Sequence, residues 1–278
     1  MKNVKTLALA ATAVAAMSGN AFAADRSDIY ATDYKWMQFN AMYAIDEHPI
    51  GGDSAHHNYL EMEFGGRKGI VDLYGYVDVF NLGNESSGDK ASGSGASKMF
   101  MKFAPRFSLD AITGTDLSFG PVQELYFSTL FNWGGGAIGE DVNATFWGIG
   151  ADVNVPWLGK TGMNLYAHYD LNAKEWNGYQ FSMNWFKPFH FFDNKSFLSF
   201  QGYIDWQFGG DEDMGNEFVP MTDNGGAAFF GLYWHTDNYA LGYGIKGFKD
   251  VYLLEDGAGI VGLETTGWGH YLTATYKF

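Results

Sequence analysis

Hydrophobic and polar side chains alternate along most of the chain with a period of two. In 196–208, the even-numbered positions include Leu198, Phe200, Ile204, Trp206 and Phe208. The odd-numbered positions include Ser199, Gln201, Tyr203, Asp205 and Gln207. The last ten residues, GHYLTATYKF, alternate in the same way and end on an aromatic residue. A period of two predicts β-strands, because a helix would repeat every three or four residues. The pattern therefore predicts an all-β chain whose strands have two chemically different faces.

Strand-like stretches recur from end to end, and no amphipathic helix is predicted. Twelve are predicted, at 35–45, 57–67, 70–81, 98–108, 117–131, 144–155, 163–170, 176–186, 196–208, 227–235, 239–250 and 266–278. A sandwich of two sheets would also alternate, so a single strand does not separate a sandwich from a barrel. An even number of strands places both ends of a barrel on one side of a membrane.

The connections between the predicted strands alternate in length. The short set is GRKG, LDAITGTD, PWLGKTG, KPFHFFDNK and HTDN, and the long set includes LGNESSGDKASGSGAS and GGDEDMGNEFVPMTDNGG. Only the connection near 171–175 is too short for the long set. Short turns at one end and long polar loops at the other are typical of outer-membrane barrels. We therefore predict a 12-stranded antiparallel transmembrane β-barrel of the outer membrane, with short periplasmic turns and longer extracellular loops.

The amino-terminal 23 residues have the three parts of a secretory signal. Lys2 and Lys5 carry positive charge, an apolar run covers 7–17, and Ala21 and Ala23 form a small-x-small cleavage site. The rest of the chain has no apolar run near the roughly 20 residues that a transmembrane helix needs. We predict that 1–23 is a removed signal peptide and that 24–278 is a single barrel domain in the bacterial outer membrane.

Composition narrows the partners of such a barrel. The chain has no cysteine, which excludes disulfides and thiolate metal sites, and nothing in it predicts a cofactor. The formal net charge of −15 argues against a nucleic-acid partner, because phosphate binding is driven by Lys and Arg. Aromatic residues predicted near strand ends, where they would form interfacial girdles, are Trp36, Trp157, Trp185, Phe191, Phe192, Trp234, Tyr239, Tyr276 and Phe278.

Charged and tyrosyl side chains share the polar face of the first five predicted strands. These candidate channel-lining residues are Tyr59, Glu61, Glu63, Arg67, Asp72, Tyr74, Tyr76, Asp78, Lys102, Arg106, Glu124 and Tyr126. Tyrosine rings can stack on a solute ring, while carboxylates and cations bind its hydroxyls and ring edges. This composition favours a small, polar, ring-bearing solute such as a nucleoside or a sugar. The alternative is an ion-pair network that only fills the lumen, as narrow barrels require.

Other functions have weaker support in the sequence. His168 and Asp170 share a face of 163–170, but no G-x-S-x-G nucleophile context accompanies them, so we predict that the protein is not an enzyme. His168 is predicted to be a polar residue of the lumen or its rim. The rival hypothesis is a surface receptor whose loops at 82–97 and 209–226 bind a partner, with transport incidental.

Several stretches resemble the Tsx family of nucleoside-specific channel-forming proteins, and more closely its OmpK branch. The resemblance lies in YLEMEFGGRKGIVDLYGYVDVFNL (59–82), MFMKFAPRFSLDAITGTDLSFGPVQELY (99–126), VPWLGKTGMNLYAHY (155–169), EWNGYQFSMNWFKPF (175–189) and TGWGHYLTATYKF (266–278). It implies a monomeric twelve-stranded barrel, passive uptake of nucleosides, and exposed loops to which bacteriophages attach. By position it also implies lumen roles for Tyr59, Glu61, Tyr74, Tyr76, Asp78, Arg106 and Glu124. Lys102 departs from the pattern, since the nucleoside-channel branch tends to have Glu at that position before its Arg.

Overall fold

A computed structural model describes residues 28–51, 55–82, 98–134 and 142–278. The predicted signal peptide and most of the predicted loop at 82–97 lie outside these residues. The strands are β1 (Tyr34–Ile45), β2 (His57–Lys68), β3 (Val71–Phe80), β4 (Met99–Ser108), β5 (Val122–Trp133), β6 (Asn143–Val155), β7 (Gly159–Asp170), β8 (Glu175–Phe191), β9 (Phe197–Phe208), β10 (Asn224–His235), β11 (Tyr239–Lys249) and β12 (Gly267–Lys277). Each strand pairs with its neighbours in the chain, and the order closes on itself.

The first and last strands close the barrel. β1 runs antiparallel to β12, from Gln38 opposite Lys277 to Ile45 opposite His270. A closed sheet leaves no edge strand, so every strand can pair its backbone groups where the bilayer core supplies no water. Within the described residues, no helix is long and apolar enough to cross a membrane. The predicted all-β, 12-stranded antiparallel barrel is confirmed.

The two faces of β12 differ in exposure as the alternation predicts. Leu272, Tyr276 and Phe278 are 43–68% exposed on the outer surface. Tyr271 and Thr273, on the inner face, are at most 7% exposed. The same parity holds in β9, where Ser199 is buried and Trp206 is exposed. Hydrophobic side chains thus cover the outside, and polar ones line the lumen.

Short helical segments occur only in the connections among the described residues. The helix α1 (Leu109–Thr113), which the alternation does not predict, is capped by the side chain of Ser108. Asp110 of α1 accepts hydrogen bonds from the backbone N–H groups of Leu117 (3.0 Å) and Leu125 (3.1 Å). These bonds hold the segment before β5 as a turn. β5 therefore begins at Val122, whereas the alternation predicts a start at 117.

Most connections keep the alternation of lengths, but 109–121, which contains α1, is a long member at the short-turn end. Those at the short end include 69–70, 156–158 and 236–238, whereas 209–223 and 250–266 lie at the long end. β8 continues to Phe191, well past its predicted end at 186, and this shortens the next turn. The connection 171–174 remains the one short member at the long-loop end among the described residues.

Trp36 and Trp185 do not lie in the interfacial aromatic girdle where the sequence predicts them. Trp36 lies on the inner face, with its ring 6.3 Å from that of Tyr74. Trp185 is buried within the outer surface, where it packs against Phe200 (5.6 Å) and Phe230 (5.9 Å). Aromatic residues occupy both faces of β1, so composition alone cannot assign the face of Trp36. Pairing of Trp185 with Gly202 leaves room for its ring to lie flat on the sheet.

Candidate functional site

Two carboxylates of β2 are held in place on the inner wall by amides of β1. Gln38 donates a hydrogen bond to Glu63 (2.6 Å), and Asn40 donates to Glu61 (2.6 Å) and Glu63 (3.1 Å). The hydroxyl of Thr275 donates to the amide oxygen of Asn40 at 2.7 Å. The amide of Asn40 is thereby fixed through both its nitrogen and its oxygen. This wall presents carboxylate oxygens in fixed positions.

A row of aromatic rings lies beside these carboxylates. The hydroxyl of Tyr74 donates to Glu63 at 2.9 Å, and its ring is exposed to the lumen. The ring centroids of Tyr74 and Tyr76 are 6.2 Å apart, and those of Tyr76 and Phe100 are 6.0 Å apart. With Trp36 at the other end, four rings follow the inner wall. Such a row offers π faces next to hydrogen-bond acceptors.

Towards the long-loop end, the same wall contains the candidates Tyr59, Glu61 and Asp78 of β2 and β3. Glu61 stands opposite Asp78 in the strand register, so two carboxylates face each other across the pair. The ring of Tyr59 is stacked on that of His57 at 5.6 Å. His57 in turn lies 2.8 Å from a carboxylate oxygen of Glu47, which comes from the β1–β2 loop. The long loop therefore supplies an acidic group to the mouth of the lumen.

Lys102 crosses the lumen from β4. Its Nζ lies 3.1 Å from a carboxylate oxygen of Asp205 on β9, a strand that is not adjacent to β4. The ammonium also lies between two rings, 5.9 Å from the centroid of Tyr76 and 5.8 Å from that of Tyr203. Ser182 donates a further hydrogen bond to Asp205 at 2.6 Å. A cation and an aromatic pair thus span the bore at this level.

A second cation, Lys246, lies near Lys102 on the opposite wall. Its Nζ is 5.7 Å from the ring centroid of Tyr203, 5.8 Å from that of Tyr271 and 3.9 Å from Glu47. The ammonium groups of Lys102 on β4 and Lys246 on β11 therefore both approach the ring of Tyr203. Lys246, Tyr203 and Asp205 are not among the twelve candidates predicted from the sequence. They occupy the polar face of β9 and β11, and this position in the alternation could have identified them.

Near the short-turn end, charged side chains form a closed network. Arg67 binds Glu124 through two parallel hydrogen bonds, both of 2.7 Å. Ser108 donates to Glu124 at 2.5 Å, and the hydroxyl of Tyr126 lies 2.8 Å from Glu124 and 2.9 Å from Asp152. All five side chains are buried. Paired, buried charges of this kind fix one geometry of the wall.

Arg106 extends the network along β4. It donates to Asp72 (2.8 and 3.0 Å), lies 3.0 Å from Asp152, and covers the ring of Tyr126 at 4.1 Å. Lys160 approaches Asp152 to 2.7 Å from the other side. Three cations and three carboxylates thus neutralise one another, since Arg67 and Glu124 form the third pair of opposite charges.

The structure therefore separates the twelve candidates into two groups. The network near the short turns contains Arg67, Asp72, Arg106, Glu124 and Tyr126. The second group lies beside the open lumen. Lys102 crosses it, and the residues of the wall are Tyr59, Glu61, Glu63, Tyr74, Tyr76 and Asp78. The second group combines rings with polar groups suited to solute binding, whereas the first consists of side chains bound to one another.

His168 takes part in packing between β7 and β8. Its Nδ1 lies 3.0 Å from the backbone oxygen of Asn177, and its ring stacks on Phe146 at 4.6 Å. Asp170 accepts hydrogen bonds from Asn172 and Ala173 and so closes the β7–β8 turn. Across the described part of the chain, no group of three or more potential metal-ligating side chains occurs.

Comparison with known proteins gives matches along nearly the whole chain. A family model described as "Nucleoside-specific channel-forming protein, Tsx" matches residues 31–278. The outer membrane protein OmpK of Vibrio parahaemolyticus is 58% identical over 272 residues, covering 97% of this chain and 98% of the relative. The nucleoside-specific channel-forming protein Tsx of Escherichia coli O157:H7 is 33% identical over 298 residues, covering 99% of each chain. A solved outer membrane channel from Pseudomonas putida F1 aligns with a TM-score of 0.42 at 9% identity, covering 90% of this chain and 98% of that one.

Proposed function

Because the chain belongs to the Tsx family of nucleoside-specific, channel-forming outer-membrane proteins, we propose that it is a passive channel for nucleosides and similar ring-bearing polar solutes. The observation that carries this proposal is the placement of Tyr74 and Tyr76 beside Glu63 on the inner wall. Rings and fixed acceptors on one surface match a solute that has a flat base and a hydroxylated sugar.

Binding in such a site has to be weak. A base would lie against the exposed ring of Tyr74, while sugar hydroxyls donate to Glu63 and Asp78. Lys102, on the next strand, would donate to carbonyl or ring-nitrogen acceptors of the base. The concentration gradient drives the flux, so the solute must leave as readily as it enters. One chain encloses the complete lumen, which supports a monomer as the working unit.

The experiment is nucleoside-induced block of single-channel current in planar bilayers. Tyr74→Ala and Asp78→Ala should each reduce the block, because each removes one component of the site. Tyr179→Ala is the matched control, since Tyr179 stacks on Phe208 on the outer surface and has no access to the lumen. Equal block in wild type and in both lumen variants would remove these residues from the site.

The five residues of the buried network have a different proposed role. Arg67, Asp72, Arg106, Glu124 and Tyr126 hold the wall in one shape near the short turns, and contact with solute is secondary. Their mutual contacts leave few donors and acceptors for a passing molecule. Conservative replacement of Glu124 should then affect folding more than it affects solute preference.

A second function, attachment of bacteriophages to the exposed loops, has support from the long-loop end. Ile260 N–H donates to the backbone oxygen of Glu217 (3.0 Å), and Val261 N–H donates to that of Phe218 (3.2 Å). These bonds join two loops and leave Phe218, Ile260 and Val261 exposed by 51%, 67% and 52%. Exposed apolar patches of this kind mark interaction surfaces.

The loop surface and the channel can be tested separately. Combined Phe218→Ser and Ile260→Ser should abolish phage adsorption and leave nucleoside flux unchanged, because neither side chain lies in the barrel wall. Leu82→Ser, at another exposed loop position, is the control. Phage adsorption that survives the double substitution would refute a receptor role for this patch.

A further inference from the structure

An apolar groove runs over the outer surface near the short-turn end, across β8 to β11. One part, of about 370 Å³, is lined by Trp157, Phe189, Phe200 and Leu232. Phe189 and Leu232 also line the adjoining part, of about 420 Å³, which continues over Trp234 and towards Tyr243. Because both parts share these two residues, they form one continuous groove. It faces the hydrocarbon of the membrane, on the side of the short periplasmic turns.

Trp157 lines one side of this groove. It belongs to the connection between β6 and β7, yet its ring lies 5.8 Å from that of Phe200 on β9. Its backbone has a φ of 66°, a left-handed conformation that is unfavourable for a bulky side chain. The ring is nevertheless exposed on its outer side. The tryptophan therefore extends over the outside of the barrel, where it narrows the groove.

Lys187 lies beside Phe200, one of the residues that line the groove. Lys187 stands directly opposite Phe200 in the register of β8 and β9, so their side chains share a face. That face is the outer one, because the preceding residue, Phe186, packs inwards against Phe197 (6.4 Å) and His235 (5.6 Å). Lys187 is half-buried, and within the described residues no carboxylate pairs with it. An ammonium on a lipid-facing surface is unfavourable unless its stem reaches a headgroup anion.

We propose that this groove, with Lys187 at its edge, binds one glycerophospholipid of the periplasmic leaflet. The phosphate pairs with the ammonium of Lys187, and an acyl chain lies against Phe189, Phe200 and Leu232. The smaller part of the groove is lined by apolar side chains, and Lys187 stands next to one of them, Phe200. This combination is the complement of a lipid that has one phosphate and long alkyl chains. Trp157 packs along the acyl chain close to the interface, where tryptophan is favoured.

The test measures lipid retention by native mass spectrometry. Delipidated protein in detergent is titrated with phosphatidylglycerol, using wild type, Lys187→Gln and Lys35→Gln. Lys35 is the matched control, since it is an exposed lysine on the outer face of β1 near the same end of the barrel. Wild type and Lys35→Gln should retain one lipid per barrel at about tenfold lower lipid concentration than Lys187→Gln. Diacylglycerol, which lacks the phosphate, should bind wild type no better than it binds Lys187→Gln.

A second variant tests the groove itself. Leu232→Trp fills the shared part of the groove and should also lose the retained phosphatidylglycerol, while the cation is still present. Folding of each variant is checked by heat-modifiable electrophoretic mobility. The proposal is overturned if Lys187→Gln and Leu232→Trp retain phosphatidylglycerol as wild type does. It is equally overturned if Lys35→Gln loses the lipid to the same extent, because binding would then reflect surface charge alone.

Discussion

Lys102 on β4 and Asp205 on β9 meet inside the barrel, with 3.1 Å between the ammonium and a carboxylate oxygen. Because β4 and β9 are not adjacent, this contact crosses the bore and does not follow the wall. The rings of Tyr76 and Tyr203 lie on either side of the ammonium. A solute that enters from the long-loop end therefore meets a cation held between two aromatic surfaces.

Removal of this crossing should widen the passage. We expect Lys102→Ala to raise single-channel conductance roughly twofold, because the side chain no longer occupies the bore and pore dimensions govern flux. Conductance in symmetrical salt across a planar bilayer measures the effect. Lys174→Ala, an exposed position in the β7–β8 turn, is the control and should conduct as wild type does. An unchanged conductance in Lys102→Ala would show that the bore is limited elsewhere.

Lys246 should set the preference between small ions. Replacement with Gln removes a cation that faces Tyr203, Tyr271 and Glu47, so the lumen becomes more favourable for cations. The reversal potential in a salt gradient should shift towards cation selectivity. Lys246→Arg keeps the charge and should keep the wild-type potential. A shift of equal size in the Arg variant would indicate that shape, and not charge, was responsible.

The buried pair of Arg67 and Glu124 should dominate stability near the short turns. Glu124→Ala leaves the guanidinium without its bidentate partner, and loss of one member of a buried ion pair lowers the free energy of unfolding by about 3–5 kcal/mol. Urea unfolding in lipid vesicles, followed by tryptophan fluorescence, measures the loss. Glu175→Ala removes an exposed carboxylate and should leave the midpoint unchanged. Similar midpoints for both variants would contradict a stabilising role for the network.

Asp33, which precedes β1, should respond to acid. A hydrogen bond from Lys68 (2.6 Å), with a second from the N–H of Gly69 (2.8 Å), holds the pKa of the Asp33 carboxyl below its usual range. A lowered pKa in the folded state means that this contribution to stability is present at neutral pH. It is lost as the pH falls through the folded pKa.

Replacement of Lys68 isolates that effect. We expect Lys68→Gln to raise the pKa of Asp33 towards the ordinary aspartate value, and carbon NMR of the labelled carboxyl in micelles measures it. Lys174→Gln, far from this turn in the chain, should leave the titration unchanged. The coupling is refuted if the pKa of Asp33 is the same with and without Lys68.

The architecture could be predicted from the sequence because β-barrels repeat one rule along every strand. Alternation at 266–278 gave the correct faces for Leu272 and Tyr271, and the alternating loop lengths separated a barrel from a sandwich. The partner of Lys102 could not be predicted in this way. It lies 103 residues away, and which side chains meet across the bore depends on strand tilt and register.

Local chemistry limited the remaining predictions. The start of β5 depends on the carboxylate of Asp110, which binds two backbone N–H groups, and periodicity does not report such contacts. The separation of Arg67 and Glu124 from the open lumen wall required the pairing of side chains 57 residues apart. The sequence therefore identified the inward face of the strands that carry these charges, but not which of their side chains are already bound to one another.

Pairing between β1 and β12 has a consequence for biogenesis. The two halves of this seam are separated by more than 200 residues, so the cylinder cannot be completed until the whole polypeptide has been delivered to the periplasm. A molecule truncated before β12 would have two unpaired borders in hydrocarbon, where unsatisfied peptide groups are strongly unfavourable. Until its final strand arrives, the chain consequently cannot form a cylinder whose backbone groups are all paired in the bilayer.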